Sequence, residues 1–279
     1  MRTLLNRLLP PLYGAYFNIL ALFSEKTAAE KAFTLFCTPR KGKVLPVQQD
    51  FLDKARDQLI NIGGMDLQTY HWPGDKQRVL LLHGWESNTF RWRKLIIELI
   101  DEGFDIVAFD APAHGKSSGA ILNVILYAEC VEEIKKVYHP QFIVGHSVGG
   151  MTAVYHQYAY GANDIEKVVT IGSPSEFPEI MDFYQDLLKF NNRVMRALDQ
   201  YFQIHFGFGI QDFSTSSFAK NLKVQGLLIH DEQDAIAPFS SSERVHANWK
   251  GSRLIKTKGL GHSLHQEEVN QQIVDFLKS

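Results

Sequence analysis

Short apolar runs alternate with segments of helical periodicity through most of the chain beyond residue 78. The predicted strands are residues 79–82, 106–109, 142–144, 167–171, 224–229 and 253–255. Several of them are continuous apolar stretches, which is typical of strands buried on both faces of a sheet. Helices are predicted at about residues 88–99, 124–138, 151–160, 241–248 and 266–277, where apolar residues recur every three or four positions. This alternation predicts βαβ units, and therefore a mostly parallel central sheet flanked by helices.

Two further segments fall outside this alternation. Residues 58–62 and 65–72 are strand-like runs joined by Gly63-Gly64, which predicts a β-hairpin. Residues 175–218 contain no apolar run suited to a core strand, but they carry ten aromatic residues, about twice the 12% average of the chain. An excursion of this kind between two strands predicts a helical cap over the carboxyl edge of the sheet, where ligands of open α/β folds bind.

The N-terminal segment is apolar over residues 8–23, but Pro10 and Pro11 interrupt it. A bilayer span needs about 20 apolar residues, so this stretch is too short and too broken to cross a membrane. We expect two short helices at an angle, retained on the mature protein and docked on the folded domain or on a membrane surface. A cleaved signal peptide is the alternative, because positive charge, an apolar run and residues 27–29 (TAA) follow in the right order. The charges within residues 24–26 argue against cleavage.

Composition and charge narrow the possible functions. The 279 residues carry a net charge of −2 and show no basic stripe, so we expect no nucleic-acid partner. Eleven histidines occur without H-E-x-x-H or paired Cys/His spacing, so we expect no metal site. Cys37 and Cys130 form no disulfide framework and suit a reducing compartment, which favours a cytoplasmic location.

The sequence GHSVGG at residues 145–150 lies directly between a predicted strand and a predicted helix. In this context G-x-S-x-G places its serine on a sharp strand-to-helix turn, where the small neighbouring residues leave the hydroxyl accessible. The amides and the positive dipole end of the helix then lie beside Ser147. Ser147 is therefore the candidate nucleophile, and the alternative is a glycine-rich turn with an incidental serine.

A serine nucleophile needs a base, and the base needs a third group to orient it. Two downstream loops at the ends of predicted strands supply candidates: residues 231–238 (DEQDAIAP) contain Asp234, and residues 258–263 (KGLGHS) contain His262. Asp231 is a second candidate for the acid. We expect Asp234 to serve, because it lies deeper in its loop, and Asp231 to form a turn or to lie at the surface.

An oxyanion formed during acyl transfer needs two backbone N–H groups. The sequence LLLHGW at residues 80–85 follows the first core strand, and the flexible Gly84 frees the amide of Trp85. The amide of Val148, directly after the candidate nucleophile, is the second donor. We expect His83 and Asp110 to brace their loops rather than to transfer protons.

In combination, these motifs resemble the α/β-hydrolase superfamily from about residue 58 to residue 277. The resemblance rests on LLHG at residues 81–84, FDAPAHGKS at 109–117, GHSVGG at 145–150, Asp234 before Pro238, and Gly261-His262. It implies the α/β-hydrolase fold and a Ser147–His262–Asp234 triad. Ala113 and Asp231 stand where such proteins usually have glycine, and the second departure leaves the choice of aspartate open. Dehalogenases and epoxide hydrolases of this fold carry aspartate as nucleophile, so Ser147 argues against both chemistries.

The resemblance implies an esterase- or lipase-like serine hydrolase that cleaves a carboxylic ester or thioester with an apolar acyl group and needs no cofactor. A carbon–carbon bond hydrolase with the same triad and a non-catalytic binding module of the same fold are the alternatives. We divide the chain into an N-terminal helical extension, residues 1–45, and a hydrolase domain, residues 46–279, with its cap at about 175–218. The expected partner is a small-molecule ester, with peripheral membrane contact through residues 1–23. The oligomeric state and export by a signal peptide stay open.

Overall fold

The computed structural model describes residues 2–161 and 164–279, with side chains described from Leu9 onward. Its strands are β1 (Arg56–Ile62), β2 (Met65–Trp72), β3 (Arg78–Leu82), β4 (Asp105–Phe109), β5 (Phe142–His146), β6 (Lys167–Ile171), β7 (Gln225–Asp231) and β8 (Ser252–Thr257). Its α-helices are α1 (Arg2–Phe23), α2 (Glu25–Cys37), α3 (Pro46–Leu52), α4 (Arg93–Asp101), α5 (Val124–Tyr138), α6 (Val148–Tyr160), α7 (Phe177–Leu188), α8 (Asn192–Phe206), α9 (Thr215–Phe218), α10 (Ser240–Asn248) and α11 (Glu267–Lys278).

The strands of the described residues form one sheet in the order β1-β2-β4-β3-β5-β6-β7-β8. β2 pairs antiparallel with β1 and with β4, while all pairs from β4 through β3 to β8 are parallel. The predicted α/β fold, its mostly parallel sheet and the Gly63-Gly64 hairpin are confirmed. Every residue of β4, β5 and β6 is buried, which is why these strands read as continuous apolar runs.

The helix predicted at residues 88–99 is divided in two. A short 3₁₀ turn, Thr89–Trp92, precedes α4. The side chain of Asn88 accepts a hydrogen bond from the amide of Phe90 at 3.0 Å and so caps this turn. The capping role of Asn88 was readable from the sequence, but the tighter winding of the first turn was not.

Parallel pairing places the loops that carry chemistry along one edge of the sheet. The loops after β3, β5, β7 and β8 all leave from the carboxyl ends of their strands. Only β6 lies between β5 and β7 in the sheet order. Residues that lie far apart in the sequence therefore come within hydrogen-bonding distance at this edge.

The chain forms two compact units. The sheet unit comprises Pro39–Ser175 and Thr215–Ser279, and it contains all the strands named above. The helical unit comprises Met1–Thr38 and Glu176–Ser214, so it combines α1 and α2 with α7 and α8. The N-terminal helices thus pack against the helices of the insertion that sequence analysis placed at about residues 175–218.

Aromatic rings form the contacts between α2 and α8 in the helical unit. The ring of Phe33 lies 4.9 Å from that of Tyr201 and 5.7 Å from that of Phe202, measured between centroids. The hydroxyl of Tyr184, on α7, donates a hydrogen bond to the carbonyl oxygen of Ala32 at 2.9 Å. Many of the aromatic residues concentrated in the insertion therefore pack inside the helical unit.

The break expected at Pro10 and Pro11 is wrong, because α1 continues through both prolines. The fixed φ of proline, about −65°, is compatible with helical geometry, but each proline inside the helix costs a backbone donor and a clash of its ring with the carbonyl four residues earlier. Beyond the prolines, burial of Phe17 and Ala21 holds the helix in place. Within the described residues, no helix combines the length and the apolar character that crossing a bilayer requires.

At Gly14, α1 lies in close contact with the end of α7. A Cβ built at Gly14 would lie 1.8 Å from the carbonyl oxygen of Leu188 and 3.0 Å from the amide nitrogen of Phe190. These are backbone atoms, which cannot rotate away as a side chain can. We therefore expect Gly14→Leu to detach α1 and to destabilise the helical unit by at least the ~1–3 kcal/mol typical of overpacking.

Ala15→Leu is the matched control, because Ala15 is exposed on the same helix. The measurements are the thermal midpoint by circular dichroism and the rate of proteolytic cleavage within the first 38 residues. Equal behaviour of the two variants would contradict the close packing of α1 on α7.

Candidate active site

Ser147 lies alone between the last residue of β5, His146, and the first residue of α6, Val148. Its backbone has φ 54° and ψ −122°, a conformation that side-chain-bearing residues adopt only under constraint from their surroundings. The turn is tight, because a Cβ on Gly145 would lie 2.4 Å from the carbonyl oxygen of Gly149. The glycines of the motif thus allow the strand and the helix to approach and leave Ser147 at the apex.

Ser147, His262 and Asp234 form one hydrogen-bonded chain. Nδ1 of His262 donates to Oδ2 of Asp234 at 2.7 Å, and Nε2 of His262 lies 3.1 Å from Oγ of Ser147. A carboxylate only accepts hydrogen bonds, so Nδ1 carries the proton and Nε2 accepts from the serine hydroxyl. The three side chains predicted from sequence therefore meet in the arrangement in which an imidazole can take a proton from the hydroxyl.

The carboxylate of Asp234 is fully removed from solvent and satisfied on both oxygens. Oδ1 accepts from the amides of Ile236 at 2.8 Å and Ala237 at 3.0 Å. Burial by itself raises the pKa of Asp234, but hydrogen bonds from His230, His262 and these amides outweigh burial and hold the pKa well below its usual value. Asp234 is thus an anion at neutral pH, as the orienting group of a triad must be.

His230 is a residue of the site that sequence analysis missed. It is completely buried, and its Nε2 donates to the carbonyl oxygen of Ala237 at 3.0 Å while lying 3.4 Å from Oδ2 of Asp234. Its Nδ1 forms a hydrogen bond of 2.6 Å with the hydroxyl of Ser242. His230 therefore fixes the loop that carries Asp234. Its place at the end of a core strand, four residues before Asp234, was the available signal.

Asp231 was expected to form a turn or to lie at the surface; it is buried, so the surface position is wrong. The turn is present, because the amide of Asp234 donates to the carbonyl oxygen of Asp231 at 3.1 Å. Its Oδ2 accepts from the hydroxyl of Thr257 and the amide of Leu260, both at 2.9 Å, and its Oδ1 from the amide of Gln233 at 2.9 Å. Burial raises the pKa of Asp231, but these hydrogen bonds lower it further than burial raises it. Asp231 therefore links the loop of Asp234 to the loop of His262 without contacting the imidazole.

Two more side chains, the buried His146 and the half-buried Arg91, hold the backbone around His262. Nε2 of His146 donates to the carbonyl oxygen of His262 at 2.8 Å, and Nη2 of Arg91 donates to the carbonyl oxygen of Ser263 at 2.6 Å. Burial holds the pKa of His146 well below its usual value, so it donates as a neutral imidazole. These bonds hold two consecutive carbonyl groups of the loop, in addition to the Leu260 amide that Asp231 holds.

The loop after β3 approaches Ser147 at Gly84. A Cβ on Gly84 would lie 3.1 Å from Cβ of Ser147. Nε2 of His83 accepts from the amide of Ala111 at 2.9 Å, so Nδ1 carries the proton and donates to the carbonyl oxygen of Gly84 at 2.8 Å. Burial, together with nearby His114, lowers the pKa of His83 to about 4, so it stays neutral.

The two amides predicted to hold an oxyanion, those of Trp85 and Val148, have no hydrogen-bond acceptor within the described residues. A trans peptide points its N–H away from its C=O, so fixing the carbonyl of Gly84 also fixes the direction of the Trp85 amide. Val148 is the first residue of α6, where an amide has no partner within the helix. In the described part of the chain, neither amide donates a hydrogen bond to another group.

Asp110 has the bracing role that sequence analysis gave it. Its carboxylate accepts from the amides of Thr89 and Lys116, both at 2.9 Å, and from the hydroxyl of Tyr70 at 3.1 Å. It therefore joins the loops that follow β3 and β4. Among the described residues, no cluster of three or more His, Cys, Asp or Glu side chains could hold a metal ion.

Comparison with known proteins identifies the fold and its relatives. A model of the alpha/beta hydrolase fold matches residues 77–219. A bifunctional esterase/perhydrolase of Acinetobacter calcoaceticus is 26% identical over 77% of this chain and 97% of its own length. A non-heme haloperoxidase of Rhodococcus erythropolis is 25% identical over 74% of this chain and 94% of its own. Among solved structures, an esterase from Exiguobacterium antarcticum superposes with a TM-score of 0.65 at 19% identity, over 80% of this chain and 99% of that one.

The different surroundings of the two aspartates predict different effects of substitution. Asp234→Asn removes the charge that orients His262 and favours the wrong imidazole tautomer, so we expect kcat for ester hydrolysis to fall by about 10⁴. Asp231→Asn leaves the imidazole contacts in place but weakens the link between two loops, so we expect a smaller loss of kcat and a lower thermal midpoint.

The effect of Asp231→Asn on stability has a defined pH dependence. Because the folded-state pKa of Asp231 lies below its unfolded value, the stability it contributes is present above the unfolded pKa and is lost as pH falls through the folded one. The difference in free energy of unfolding between wild type and Asp231→Asn, taken from denaturation curves, should therefore be constant from pH 7 to about pH 4, near the ordinary pKa of aspartate, and should shrink at lower pH. A larger kcat loss for Asp231→Asn than for Asp234→Asn would show that Asp231 is the acid.

Proposed function

Because the chain belongs to the family of proteins with the α/β-hydrolase fold, we propose that it is a serine hydrolase that cleaves carboxylic esters. The hydrogen-bonded chain from Ser147 through His262 to Asp234 is the observation that carries the proposal. The esterases among its relatives and structural neighbours agree with this assignment. The same geometry fits thioesters, which undergo the same acyl transfer.

The first half of the reaction is transfer of the acyl group to Ser147. His262 Nε2 removes the hydroxyl proton as Oγ attacks the carbonyl carbon, and Asp234 stabilises the resulting imidazolium. The amides of Trp85 and Val148 donate to the oxygen that becomes negative. The tetrahedral intermediate collapses when His262 returns the proton to the leaving alcohol, which leaves an acyl-enzyme.

Water completes the reaction by the same route in reverse. His262 takes a proton from water, whose oxygen attacks the acyl carbon, and the proton then returns to Oγ of Ser147. The low pKa of Asp234 supports both halves, because the carboxylate stays charged while the imidazole gains and loses its proton. No step requires a group from outside the chain other than water.

The proposed substrate carries an apolar acyl group. Two large apolar side chains are partly or fully exposed in loops that also carry site residues: Trp85 is 37% exposed and Ile236 is 75% exposed. Their exposure costs free energy that an apolar substrate chain would recover by covering them. The aromatic residues of the insertion are a weaker argument, because many of them pack inside the helical unit.

Peripheral contact with a lipid surface is a second part of the proposal. One face of α1 buries Phe17 and Ala21, while the opposite face exposes an apolar stripe with the periodicity of a helix. The members of this stripe are Leu9, Leu12, Tyr13, Tyr16, Ile19 and Phe23, with Leu12 63% and Phe23 85% exposed. An exposed apolar face of this kind is typical of helices that lie in a membrane interface.

The charge of the segment favours an anionic lipid surface. Residues 2–23 contain no acidic residue, and their two charged residues are Arg2 and Arg7, whose side chains lie outside the described ones. Tyrosines at the edge of the stripe suit the headgroup region, where an aromatic ring and a hydroxyl are both accommodated.

Removing the nucleophile tests the catalytic proposal. Ser147→Ala should lower hydrolysis of p-nitrophenyl butyrate by at least about 10³-fold and abolish labelling by a fluorophosphonate, with little change in thermal midpoint, because a half-buried hydroxyl contributes little packing. Ser240→Ala, at the start of α10, is the control. An alanine variant that keeps half its activity, or a wild type that the probe does not label, would refute the proposal.

Within a series of p-nitrophenyl esters, kcat/KM should rise with chain length from acetate to octanoate.

Two charges placed in the apolar stripe test the lipid contact. Leu12→Glu combined with Ile19→Glu should reduce sedimentation with phosphatidylglycerol-containing vesicles by about tenfold, because buried glutamates are costly in an interface. Ile204→Glu is the matched control, since Ile204 is 79% exposed on α8. If wild-type protein does not sediment with these vesicles, and light scattering gives the mass of a dimer, the stripe contacts a second copy of the chain instead of a lipid surface.

A further inference from the structure

The linker that follows α2 runs along the loop that carries the Trp85 amide. The carbonyl oxygen of Gly42 accepts from the amide of Gly115 at 2.9 Å and from Nδ2 of Asn88 at 3.2 Å. Gly42 has φ 98°, and a Cβ there would lie 2.8 Å from the carbonyl oxygen of Ser87. The linker backbone therefore lies directly against residues 86–88, at a distance that only glycine permits.

Glu86 is the residue at which this contact is most specific. Its Oε1 accepts from the amide of Arg40, in the linker, at 2.9 Å. Its own amide donates to Nε2 of His114 at 3.0 Å, while Nδ1 of His114 donates to the carbonyl oxygen of Pro112 at 2.9 Å. Burial lowers the pKa of His114, which keeps Nε2 available as an acceptor.

The backbone of Glu86 has φ 52°, in the left-handed region that favours glycine. A side-chain-bearing residue held there costs on the order of 1 kcal/mol and persists only where its surroundings impose the conformation. The two bonds just described supply that constraint, and the one to the carboxylate is charge-assisted. Glycine would adopt this backbone without cost, but it would lack the carboxylate that reaches the linker.

We propose that Glu86 is a positioning residue, which ties the oxyanion loop to the 39–45 linker and so holds the Trp85 amide in its catalytic direction. The inference rests on the proposed esterase function. The peptide before Trp85 is fixed through the bond from His83 to the carbonyl of Gly84, and the residue after Trp85 is fixed by Arg40 and His114. With both flanks held, the Trp85 N–H cannot turn away from the developing oxyanion. The linker lies before residue 77, where the match to the family begins, so this brace is built from the chain's own N-terminal extension.

Three substitutions of Glu86 distinguish the effect of the bond to the Arg40 amide from the effect of the strained backbone at residue 86. Glu86→Ala removes the acceptor and keeps the strain, Glu86→Gly removes both, and Glu86→Gln keeps a carbonyl acceptor for the Arg40 amide. Loss of a whole oxyanion donor costs about 10²–10³ in kcat, so loosening one should cost about tenfold. We expect this loss in kcat for Glu86→Ala and Glu86→Gly, with KM within twofold of wild type, and near-wild-type kcat for Glu86→Gln.

Glu129→Ala, exposed on α5, is the control for removing a surface acid. Binding of a trifluoromethyl ketone, which forms the tetrahedral oxyanion on the serine, should weaken in proportion to kcat in the Ala and Gly variants. Should Glu86→Ala fail to fold, Gly42→Ala perturbs the same contact from the linker side and should lower kcat with KM unchanged.

Each outcome decides the proposal. Wild-type kcat in Glu86→Ala or Glu86→Gly, with Ser147→Ala inactive, overturns the brace and leaves the esterase assignment standing. A lower thermal midpoint without loss of kcat, or a glycine variant as active as wild type, also overturns it in favour of a purely structural role. Activity retained by Ser147→Ala refutes the esterase assignment itself, whatever the Glu86 variants show.

Discussion

Parallel pairing of β3, β5, β6, β7 and β8 is the constraint on which the site depends, because it sends every chemistry-bearing loop to the same edge of the sheet. The loop of Ser147 follows β5, the loop of Asp234 follows β7 and the loop of His262 follows β8. If one of these strands were placed one position further along the sheet, the imidazole would move away from the hydroxyl by about 4.8 Å, the spacing between neighbouring strands. A hydrogen bond cannot span that additional distance. The strained turn at Ser147 is tolerated because strand and helix on either side of it are buried.

Buried histidines supply much of the fine positioning at this edge. His83 holds the peptide before Trp85, His146 holds the carbonyl of His262, and His230 holds the loop of Asp234. Neutral His83 donates through one nitrogen and accepts through the other, so it joins two loops without burying a charge. Asp231 joins the remaining pair of loops as an anion, and its amide and hydroxyl donors repay the cost of its burial. Several of the eleven histidines are therefore structural members of the site.

In the helical unit, aromatic residues of the insertion pack against the N-terminal helices. Phe33 on α2 contacts rings on α8, and Tyr184 on α7 bonds to the backbone of α2. The N-terminal extension and the insertion complete each other's core, since neither pair of helices buries its apolar face alone. One face of α1 is left apolar and exposed, on the side opposite Phe17 and Ala21.

The sequence determined the α/β fold, the order of the core strands along the chain, and the candidate residues Ser147 and His262, because buried strands, tight turns and an activated hydroxyl each demand particular residue types at fixed spacings. The choice of Asp234 over Asp231 was an inference from loop position, and tertiary contacts with His262 and Leu260 supply its physical basis. The bracing by His230, His146 and Glu86 has no local signature, because a hydrogen bond to a distant carbonyl or amide depends on which loops the sheet brings together. Continuation of α1 through its prolines was likewise decided by burial against α7, since local propensity alone favours a break there.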